Sequence, residues 1–441
     1  MDEVFGQFLG ALAKTERMPL PALAHYQEGL LKRLVAHARE TLPFYRARLD
    51  CLVNAAGEID LSRWNDVPIL SRADVIAAGD AMQVKELPRE YGEIRALRTS
   101  GSSGVPLVLA SNGMVAFAGN AHLTRMARWF GLDTAKPMAT IRRFTNEPVA
   151  PYPEGNVGRG WSFADADAPL YELELMSPVE EQLEWLARRK PAYLVTQASG
   201  ALALGQAVTP AQGRALGIEV IFLIAETIPE GTADFLFERL GARSAGIYSC
   251  QEIGAIACEC SAAPHYHVCA ENALVEIVDE KGRDVAPGAR GRVLVTGFYN
   301  YAMPFIRYDL GDIATAGDGP CPCGRTLPVV TRIEGRTRNA FLFEDGKRLW
   351  PRAAMVRAMR DFVPFRRYQL VQLDRRNIEF RYVPDDSGRM PDLDGLADCA
   401  RRVFHPSVSV SLCAMDALPA GTGGKVEEFI SLLPEAGSLR V

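Results

Sequence analysis

A run of hydroxyl residues and glycines, Thr99-Ser-Gly-Ser-Ser-Gly104, is the stretch whose residue types most directly suggest chemistry. The two glycines, Gly101 and Gly104, allow positive φ and a close approach of the backbone to a ligand. Successive backbone N–H groups in such a loop form an anion-binding nest, to which hydroxyls add donors. The residues available to contact an anion are Thr99, Ser100, Gly101, Ser102, Ser103 and Gly104. No Gly-Lys-Ser/Thr follows, so this is not the P-loop pattern, and a plain turn stays the alternative.

Cysteines and histidines form a second group with chemical potential. They occur as three pairs with one residue between the members: Cys258-x-Cys260, His265-x-His267 and Cys321-x-Cys323. Together they supply more soft ligands than one tetrahedral zinc ion needs. The alternative is a set of reduced, buried thiols without a metal.

The elements that would position these residues alternate between strand and helix. Predicted strands cover 192–196, 219–224, 245–248, 274–278 and 291–296, and predicted helices cover 20–48, 113–129, 179–190 and 232–240. Pro43 ends or bends the first of these helices, and Ser71 is placed to cap another short one. The alternation predicts an α/β core with a largely parallel sheet, which changes to β structure from Ala273 onward.

Ligands of open α/β sheets collect at the carboxyl ends of the strands. The Ser/Gly loop, Glu226 and Glu252 all follow predicted strands, so we expect them to converge there. The last hundred residues read as a separate small α+β module after a linker at 335–339. Its predicted strands are 368–373, 378–383 and 408–413, and its predicted helices are 352–362 and 393–404.

Composition narrows the class of protein. The chain has 441 residues, which is long for one core, with 48% hydrophobic and 23% charged residues and a net charge of −5. No basic patch argues for nucleic acid, and no apolar run is long enough for a membrane span. The acidic start shows no signal peptide, so nine cysteines predict reduced thiols and a cytoplasmic protein.

Several motifs in order carry a resemblance to a known family. They are Pro43-Phe-Tyr-Arg-Ala-Arg48, the Ser/Gly loop, Ala225-Glu226, Tyr248-Ser-Cys-Gln-Glu252, Ala302 to Asp312, Gly319 to Thr326, Gly335-Arg-Thr337 and Gly423-Gly-Lys425. Over roughly residues 25–430 the chain resembles the adenylate-forming superfamily, specifically its phenylacetate–CoA ligase and CapK-like branch. The resemblance implies an α/β fold with a large N-terminal domain (α/β sheets plus a β subdomain, residues 1–335). A small mobile α+β C-terminal domain, residues 336–441, would follow.

The resemblance also implies an activity. Members join a carboxylate to AMP from ATP with release of pyrophosphate, and they usually pass the acyl group to coenzyme A. The residues Thr99 to Gly104 would hold the β- and γ-phosphates, and Glu252 would bind Mg²⁺, which prefers carboxylate ligands. Lys425 and the cation would offset charge that develops on the phosphates.

Further roles follow from matched positions. Asp312 would hydrogen-bond the ribose, with Asp309 as its competitor, and Arg336 would reach the ribose or α-phosphate. Tyr248 would flank the adenine, and Ala225 and Glu226 would line the same pocket. The alternative for each of Glu252, Arg336 and Lys425 is an ordinary surface charge.

Alignment of the Cys/His pairs on the family favours one ligand set, which is Cys260, His267, Cys321 and Cys323. This would be a Cys₃His zinc site, structural rather than catalytic, because some relatives lack the cysteines. Glu271 and Asn272 occupy positions near the family's site, and their role is left open. Cys250, Cys269, Cys399 and Cys413 are interpreted as core or incidental residues.

The chain departs from the family pattern at several places. Arg338-Asn339 replaces the acidic hinge pair, which puts domain rotation in question, and Glu427-Glu428 follow the mobile lysine where basic residues are common. Residues 131–170, including Arg142 to Val149, match poorly, and we expect acyl specificity to lie there. The substrate class is an aryl or small acyl acid.

Two other functions stay open. One is adenylation followed by transfer to an amine or a carrier-protein thiol without coenzyme A. The other is a non-catalytic nucleotide-binding or zinc-stabilised scaffold. The oligomeric state, a homodimer included, is not determined by the sequence.

Overall fold

The computed structural model describes residues 2–98, 107–144, 146–317, 319–336, 339–349, 351, 355–356, 358–385, 387–419 and 426–433. The chain divides into two compact units. One contains residues 1–310 and 314–332, and the other contains residues 311–313 and 333–441. The predicted phosphate loop, Thr99 to Gly104, and Lys425 lie outside the described residues.

The elements are numbered along the chain. The α-helices are α1 (Asp2–Thr15), α2 (Leu20–Thr41), α3 (Pro43–Arg48), α4 (Arg72–Ala78), α5 (Gly113–Trp129), α6 (Val179–Arg189), α7 (Ala198–Gln206), α8 (Pro210–Ala215), α9 (Thr232–Leu240) and α10 (Leu393–Val403). Short 3₁₀ helices cover Asp50–Leu52, Leu61–Asp66, Gly79–Met82 and Arg89–Tyr91.

The strands are β1 (Arg95–Arg98), β2 (Val108–Ser111), β3 (Met138–Arg142), β4 (Asn156–Arg159), β5 (Pro169–Glu174), β6 (Tyr193–Gln197), β7 (Val220–Ile224), β8 (Arg243–Cys250), β9 (Gly254–Glu259), β10 (Tyr266–Val268), β11 (Ala273–Val278), β12 (Arg290–Gly297), β13 (Tyr308–Ala316), β14 (Val329–Arg336), β15 (Phe341–Leu342), β16 (Arg348–Leu349), β17 (Phe365–Gln372), β18 (Asn377–Pro384), β19 (Ser409–Ala414) and β20 (Phe429–Ser431).

One twelve-stranded sheet dominates the large unit, in the order β11-β12-β13-β14-β10-β9-β8-β7-β6-β3-β5-β4. Five adjacent strands in one half of it, β8-β7-β6-β3-β5, are parallel, because β3 pairs in parallel with β5 and β6, β6 with β7, and β7 with β8. From β9 onward the pairs of β8 with β9, β9 with β10, and β11 with β12 are antiparallel. The predicted α/β core followed by β structure is therefore confirmed.

Local sequence signals explain where helices begin and end. The first long helix stops at Thr41, because Leu42 is extended (φ −122°, ψ 107°) before Pro43, and Pro43 opens the next helix. Ser71 caps α4 in a full capping box with Asp74, as predicted. The predicted helix over 113–129 is observed with the same bounds.

The parallel strands bury one face against α6 to α9. That core contains Ala139, Ile141, Leu194, Leu223 and Trp185, all almost fully buried. Because strand side chains alternate between faces, the residues next to these along β3, β6 and β7 point to the opposite face. This alternation decides which side chains meet a ligand where the strands end.

The C-terminal unit has its own core. A four-stranded sheet, in the order β19-β18-β17-β20, packs with α10 around residues such as Phe341, Met359, Phe380 and Phe404. The three predicted strands and the helix at 393–404 are confirmed. Of the predicted helix at 352–362, residues 355–356 are helical, but residues 358–362 form turns, so the prediction is wrong there; residues 352–354 and 357 lie outside the described residues. Within the described part of the chain, no helix is long and apolar enough to cross a bilayer.

Candidate active site and metal centre

Glu252 is a buried carboxylate just beyond the end of β8, with 7% of its surface exposed. The hydroxyl of Tyr308 donates to its Oε1 at 3.4 Å, and the thiol of Cys250 also contacts it. Burial, with the Glu252 charge adding to it, raises the pKa of both Tyr308 and Cys250. Both groups therefore stay protonated at neutral pH and act as donors to the carboxylate.

The backbone of Glu252 is tied to the strand that leaves the predicted phosphate loop. Asn300 Nδ2 lies 3.1 Å from the carbonyl oxygen of Ala110 in β2 and 3.3 Å from that of Glu252. One residue beyond β2, Asn112 Oδ1 accepts a hydrogen bond from the N–H of Tyr301 at 3.0 Å. The structure thus ties the backbone of Glu252 to β2, the strand that follows the Ser/Gly segment in the sequence.

Ala225 and Glu226 form a strained turn after β7. Ala225 has φ +65°, a left-handed conformation that is uncommon for a residue with a side chain and is often found at functional sites. The carboxylate of Glu226 accepts from Ser199 N at 2.9 Å and from Ser199 Oγ at 3.0 Å. Glu226 therefore caps the N-terminus of α7. Tyr248 lies near the end of β8, where the pairing with β9 shifts between Tyr248 and Ser249.

Asp312 and Arg336 form an ion pair within the C-terminal unit. Arg336 Nε lies 3.0 Å from Asp312 Oδ1, and the Asp312 side chain is mostly buried. The competitor, Asp309, instead pairs with Arg292 at 2.8 Å in the large unit. Both aspartates are therefore ion-paired, Asp312 with a half-exposed arginine and Asp309 with a mostly buried one.

The Cys/His pairs converge in space. One donor atom each from Cys260, His265, His267 and Cys321 lies within 4.8 Å of the other three. Cys260 Sγ and Cys321 Sγ are 3.5 Å apart, His265 Nε2 is 3.0 Å from Cys321 Sγ, and His267 Nε2 is 3.3 Å from Cys323 Sγ. Tetrahedral zinc with ordinary bond lengths separates two sulfurs by roughly 3.8 Å and a sulfur from a nitrogen by about 3.6 Å. The donor set therefore fits zinc.

His265 is a candidate ligand that the predicted set omitted. The sequence contains the signal, because His265 belongs to one of the three Cys/His pairs. Tetrahedral zinc takes four ligands, however, and the three pairs offer six. Burial, with His265 adding to it, lowers the pKa of His267 to about 4, so this imidazole is neutral and able to ligate at neutral pH. Burial also raises the pKa of the Cys321 thiol to about 12.

Glu271 belongs to a buried polar cluster that holds the N-terminal helix. Arg125 Nη1 lies 2.9 Å from Glu271 Oε1, and Thr15, the last residue of α1, donates to the same oxygen. Arg125 also stacks on the ring of Trp129 at 5.0 Å. These contacts are those of a structural ion pair, and they give Glu271 a role that the sequence left open.

An apolar cavity of about 370 Å³ lies elsewhere on the large unit. Its lining residues are Val4, Gln7, Phe8, Met114, Phe117, Ala118 and Tyr299. Tyr299 immediately precedes Asn300, the residue that hydrogen-bonds the backbone of Glu252. One lining residue of the cavity is therefore a sequence neighbour of the residue that fixes the backbone of Glu252.

Comparison with known proteins gives a consistent assignment, although no protein-family model matches the chain. A phenylacetate–coenzyme A ligase of Thermus thermophilus is 28% identical over 369 residues, which cover 81% of this chain and 79% of that enzyme. The crystal structure of 2-hydroxyisobutyryl-CoA ligase with 2-HIB-AMP in the postadenylation state has a TM-score of 0.75 at 19% identity, covering 95% of this chain and 91% of that one. The amide bond synthetase McbA from Marinactinospora thermotolerans has a TM-score of 0.54 at 16% identity, covering 77% and 69%. In its ordered motifs, its fold and its curated relative, the chain is similar to the adenylate-forming enzymes, and in particular to their phenylacetate–CoA ligase-like branch.

Proposed function

We propose that this protein activates a carboxylic acid with ATP, forms acyl-AMP with release of pyrophosphate, and then transfers the acyl group to coenzyme A. The observation that carries the proposal is the position of Glu252. Its carboxylate is buried, and it is supplied with donors by Tyr308 and Cys250. Its backbone is fastened through Asn300 to the strand that leaves the Ser/Gly loop.

The reaction must bring a carboxylate close to an anionic triphosphate. In our proposal Glu252 holds Mg²⁺, a hard cation that would neutralise phosphate charge. The N–H and hydroxyl groups from Thr99 to Gly104 hold the β- and γ-phosphates. Lys425 then offsets the charge that develops in the transition state, where preorganised donors have their largest effect.

The Asp312–Arg336 pair is proposed to bind the ribose. A carboxylate accepts hydrogen bonds from the two ribose hydroxyls, and the guanidinium, at 3.0 Å from it, orients that carboxylate. A second contact of Arg336, to the α-phosphate, would then neutralise charge beside the reacting phosphorus. Tyr248 and the Ala225-Glu226 turn are proposed to border the adenine.

The Cys/His cluster is proposed to bind a structural zinc ion. The supporting observations are the donor types and their mutual distances of 3.0–3.5 Å. Cys260 and Cys321 are common to both candidate sets. His265 competes with Cys323 for the fourth position, and His267 completes the coordination. The role assigned to the ion is to tie β9 and β10 to the segment that carries Cys321 and Cys323, which are distant in sequence.

Thioester formation is favoured over amide formation as the second half-reaction. The curated relative is a coenzyme A ligase, and it covers 81% of this chain at 28% identity. The amide bond synthetase is a more distant structural neighbour, at 16% identity. Transfer to an amine or a carrier protein therefore stays the alternative acceptor chemistry.

The test is ATP-dependent pyrophosphate release across a panel of aryl, alkyl, hydroxy and amino acids, with and without coenzyme A. Release that one acid elicits and that coenzyme A accelerates is the expected result. If the rate of pyrophosphate release does not change with coenzyme A, the acceptor of the acyl group would instead be an amine or a carrier-protein thiol. ATP binding without release for any acid would contradict the proposed function and favour a scaffold.

A further inference from the structure

The parallel strands end in a shared row of side chains. Ile141 of β3 is opposite Thr196 of β6, so Arg142 and Gln197 are the next neighbours along these strands. Gln197 is in turn opposite Ile224, the last residue of β7. Because Ile141, Leu194 and Leu223 point into the core beneath α6 to α9, this row points to the other face.

Gln197 presents a buried acceptor to that face. The residue is 3% exposed, and within the described chain its Oε1 has no hydrogen-bond partner. Its side chain does not cap α7 either, although Gln197 immediately precedes that helix. Buried carbonyl oxygens are normally paired, so an unpaired one at a strand end indicates a missing donor.

Arg142 presents donors at the neighbouring position. Its guanidinium lies 4.0 Å above the ring of Phe144, and its one hydrogen bond in the described chain runs from Nη1 to the carbonyl oxygen of Arg143 at 3.4 Å. The side chain is partly buried, and it forms no ion pair with a described carboxylate. Most of its five N–H groups are therefore available to a ligand.

Burial lowers the pKa of Arg142, and three nearby carboxylates act against that shift without cancelling it. Glu172, Glu147 and Glu174 all act electrostatically on it. Glu174 is itself engaged, with Arg143 at 3.7 Å and with the N–H of Phe144 at 3.3 Å. A second full anion placed beside Arg142 would meet these carboxylates, so the row is suited to a neutral oxygen.

The row also lies close to the proposed reaction centre. Asn146, four residues after Arg142, accepts a hydrogen bond at 2.7 Å from the N–H of Arg98, the residue that enters the Ser/Gly loop. At the other end of the row, Ile224 leads directly into the strained Ala225 turn. An acyl group attached to a carboxylate at the phosphates would therefore extend over this part of the sheet.

We propose that Arg142 and Gln197 bind the acyl part of the substrate and that the substrate is a hydroxylated carboxylic acid. The hydroxyl oxygen accepts a hydrogen bond from Arg142 and its proton is donated to Gln197 Oε1, so that one O–H group satisfies both side chains. A purely hydrocarbon acid leaves the glutamine oxygen unpaired. This substrate class rests on the proposed function, because it presumes that an acid is bound at this edge.

The test compares acids in matched pairs on the full-length protein. The pairs are 4-hydroxyphenylacetate with phenylacetate, 3-hydroxybenzoate with benzoate, 2-hydroxyisobutyrate with isobutyrate and 3-hydroxybutyrate with butyrate, and succinate serves as the dianionic probe. Pyrophosphate release gives kcat/KM, and thermal shift in the presence of AMP gives binding without turnover. The wild type is expected to favour the hydroxylated member of at least one pair by at least roughly tenfold, because a site built for a hydroxyl rejects analogues that lack it.

Substitutions then locate the preference. Arg142→Met and Gln197→Met are each expected to remove it mainly through KM for the hydroxylated acid, with the apolar partner and ATP little affected. Arg143→Met is the matched control, because Arg143 is adjacent but pairs with Glu174. Two variants on different strands protect the test against a folding defect in one of them.

The outcomes separate this inference from the proposed function. A thermal shift by a hydroxylated acid that Arg142→Met removes, without pyrophosphate release from any acid, would overturn the proposed function and keep the substrate class. Equal or better use of the apolar members or of succinate would overturn the substrate class and keep the adenylation. If neither pyrophosphate release nor thermal shift distinguishes the hydroxylated acids from their apolar partners, the inference is overturned as well.

Discussion

Two polar regions lie on consecutive strands of the large sheet and are held in different ways. At the end of β8, Glu252 receives donors from the protein itself, through Tyr308 and Cys250, and Asn300 fixes its backbone. At the end of β9, Cys260 and its neighbours face mainly one another, with sulfur and nitrogen donors 3.0–3.5 Å apart. The first arrangement is complete without a ligand, whereas the second brings the donor atoms of thiols and imidazoles within 4.8 Å of one another, as a metal site requires.

The difference separates chemistry from stability. In a preorganised site, folding has already fixed the polar groups in the positions that the reaction needs. Loss of such a group should therefore affect turnover more than folding. A cluster of mutually facing ligands gains its stability from the ion, so its loss should affect folding more than turnover. Each prediction below tests one side of this contrast.

Glu252→Ala should have the largest effect. Removal of the carboxylate should lower the rate of pyrophosphate release by at least about 100-fold, because the charge on the phosphates is no longer offset through Mg²⁺. The unfolding temperature should change little. Release is measured across a Mg²⁺ titration, and Glu86→Ala, an exposed acid, is the control. Turnover near the wild-type level would refute the assigned role.

Cys321→Ser should act on folding instead. Metal analysis should show that bound zinc falls from about one ion per chain to none, and the free energy of unfolding should drop by more than about 4 kcal/mol. Activity per folded molecule should be retained. Cys51→Ser is the matched control, because among the described residues the hydrogen bond of that thiol goes to the carbonyl oxygen of Arg48 and to no metal-ligand candidate. A zinc content unchanged by Cys321→Ser would remove the basis of the contrast.

His265→Ala and Cys323→Ala sharpen the same experiment by naming the ligand set. His265 is one of the four donors that lie within 4.8 Å of one another, whereas Cys323 contacts the group through His267 at 3.3 Å. We expect the variant that removes the true ligand to lose zinc and the other variant to keep it. Loss of zinc in neither variant would indicate that the remaining donors suffice.

Asp312→Asn should have a moderate effect on nucleotide binding. A hydrogen bond to a charged group contributes about 1.5–3 kcal/mol, so KM for ATP should rise by roughly tenfold or more. Asp309→Asn is the internal control, because its carboxylate pairs with Arg292 at 2.8 Å. That variant should lower stability without raising KM for ATP. The reverse result would exchange the roles of the two aspartates.

The sequence predicted the fold well where one local signal dominated. The helical spacing over 113–129 and the apolar run in β7 correspond to elements with nearly the predicted bounds, because both segments pack against a sheet or core on a fixed face. The break before Pro43 was predicted from the missing N–H and the restricted preceding residue. The resemblance to a known family came from the order of several motifs along the chain, which no single motif provides.

The sequence was less informative where long-range packing decides. Asn300 and Tyr308 meet Glu252 only because β8, β2 and the segment before β13 come together, and no spacing rule connects positions 48 and 56 residues apart. His265 lies within a recognised pair, but the choice among the six donors of the three pairs needs coordinates. The unpaired oxygen of Gln197 is likewise invisible until its neighbours are known.

Ser71→Ala should have the smallest effect, and it tests whether the two kinds of region are truly separable. Loss of the cap on α4 should cost about 1 kcal/mol of stability, because the N–H of Asp74 loses its acceptor. The next residue, Arg72, contacts the Tyr308 hydroxyl that donates to Glu252. Thr209→Ala removes an equivalent capping box from α8, so it should cost a similar amount and serves as the matched control. If the Glu252 site is held mainly by Asn300 and Tyr308, the two variants should keep equal activity per folded molecule. A selective loss of turnover in Ser71→Ala would instead mean that the readiness of the carboxylate depends on α4, so that stability and chemistry are coupled on this side of the sheet.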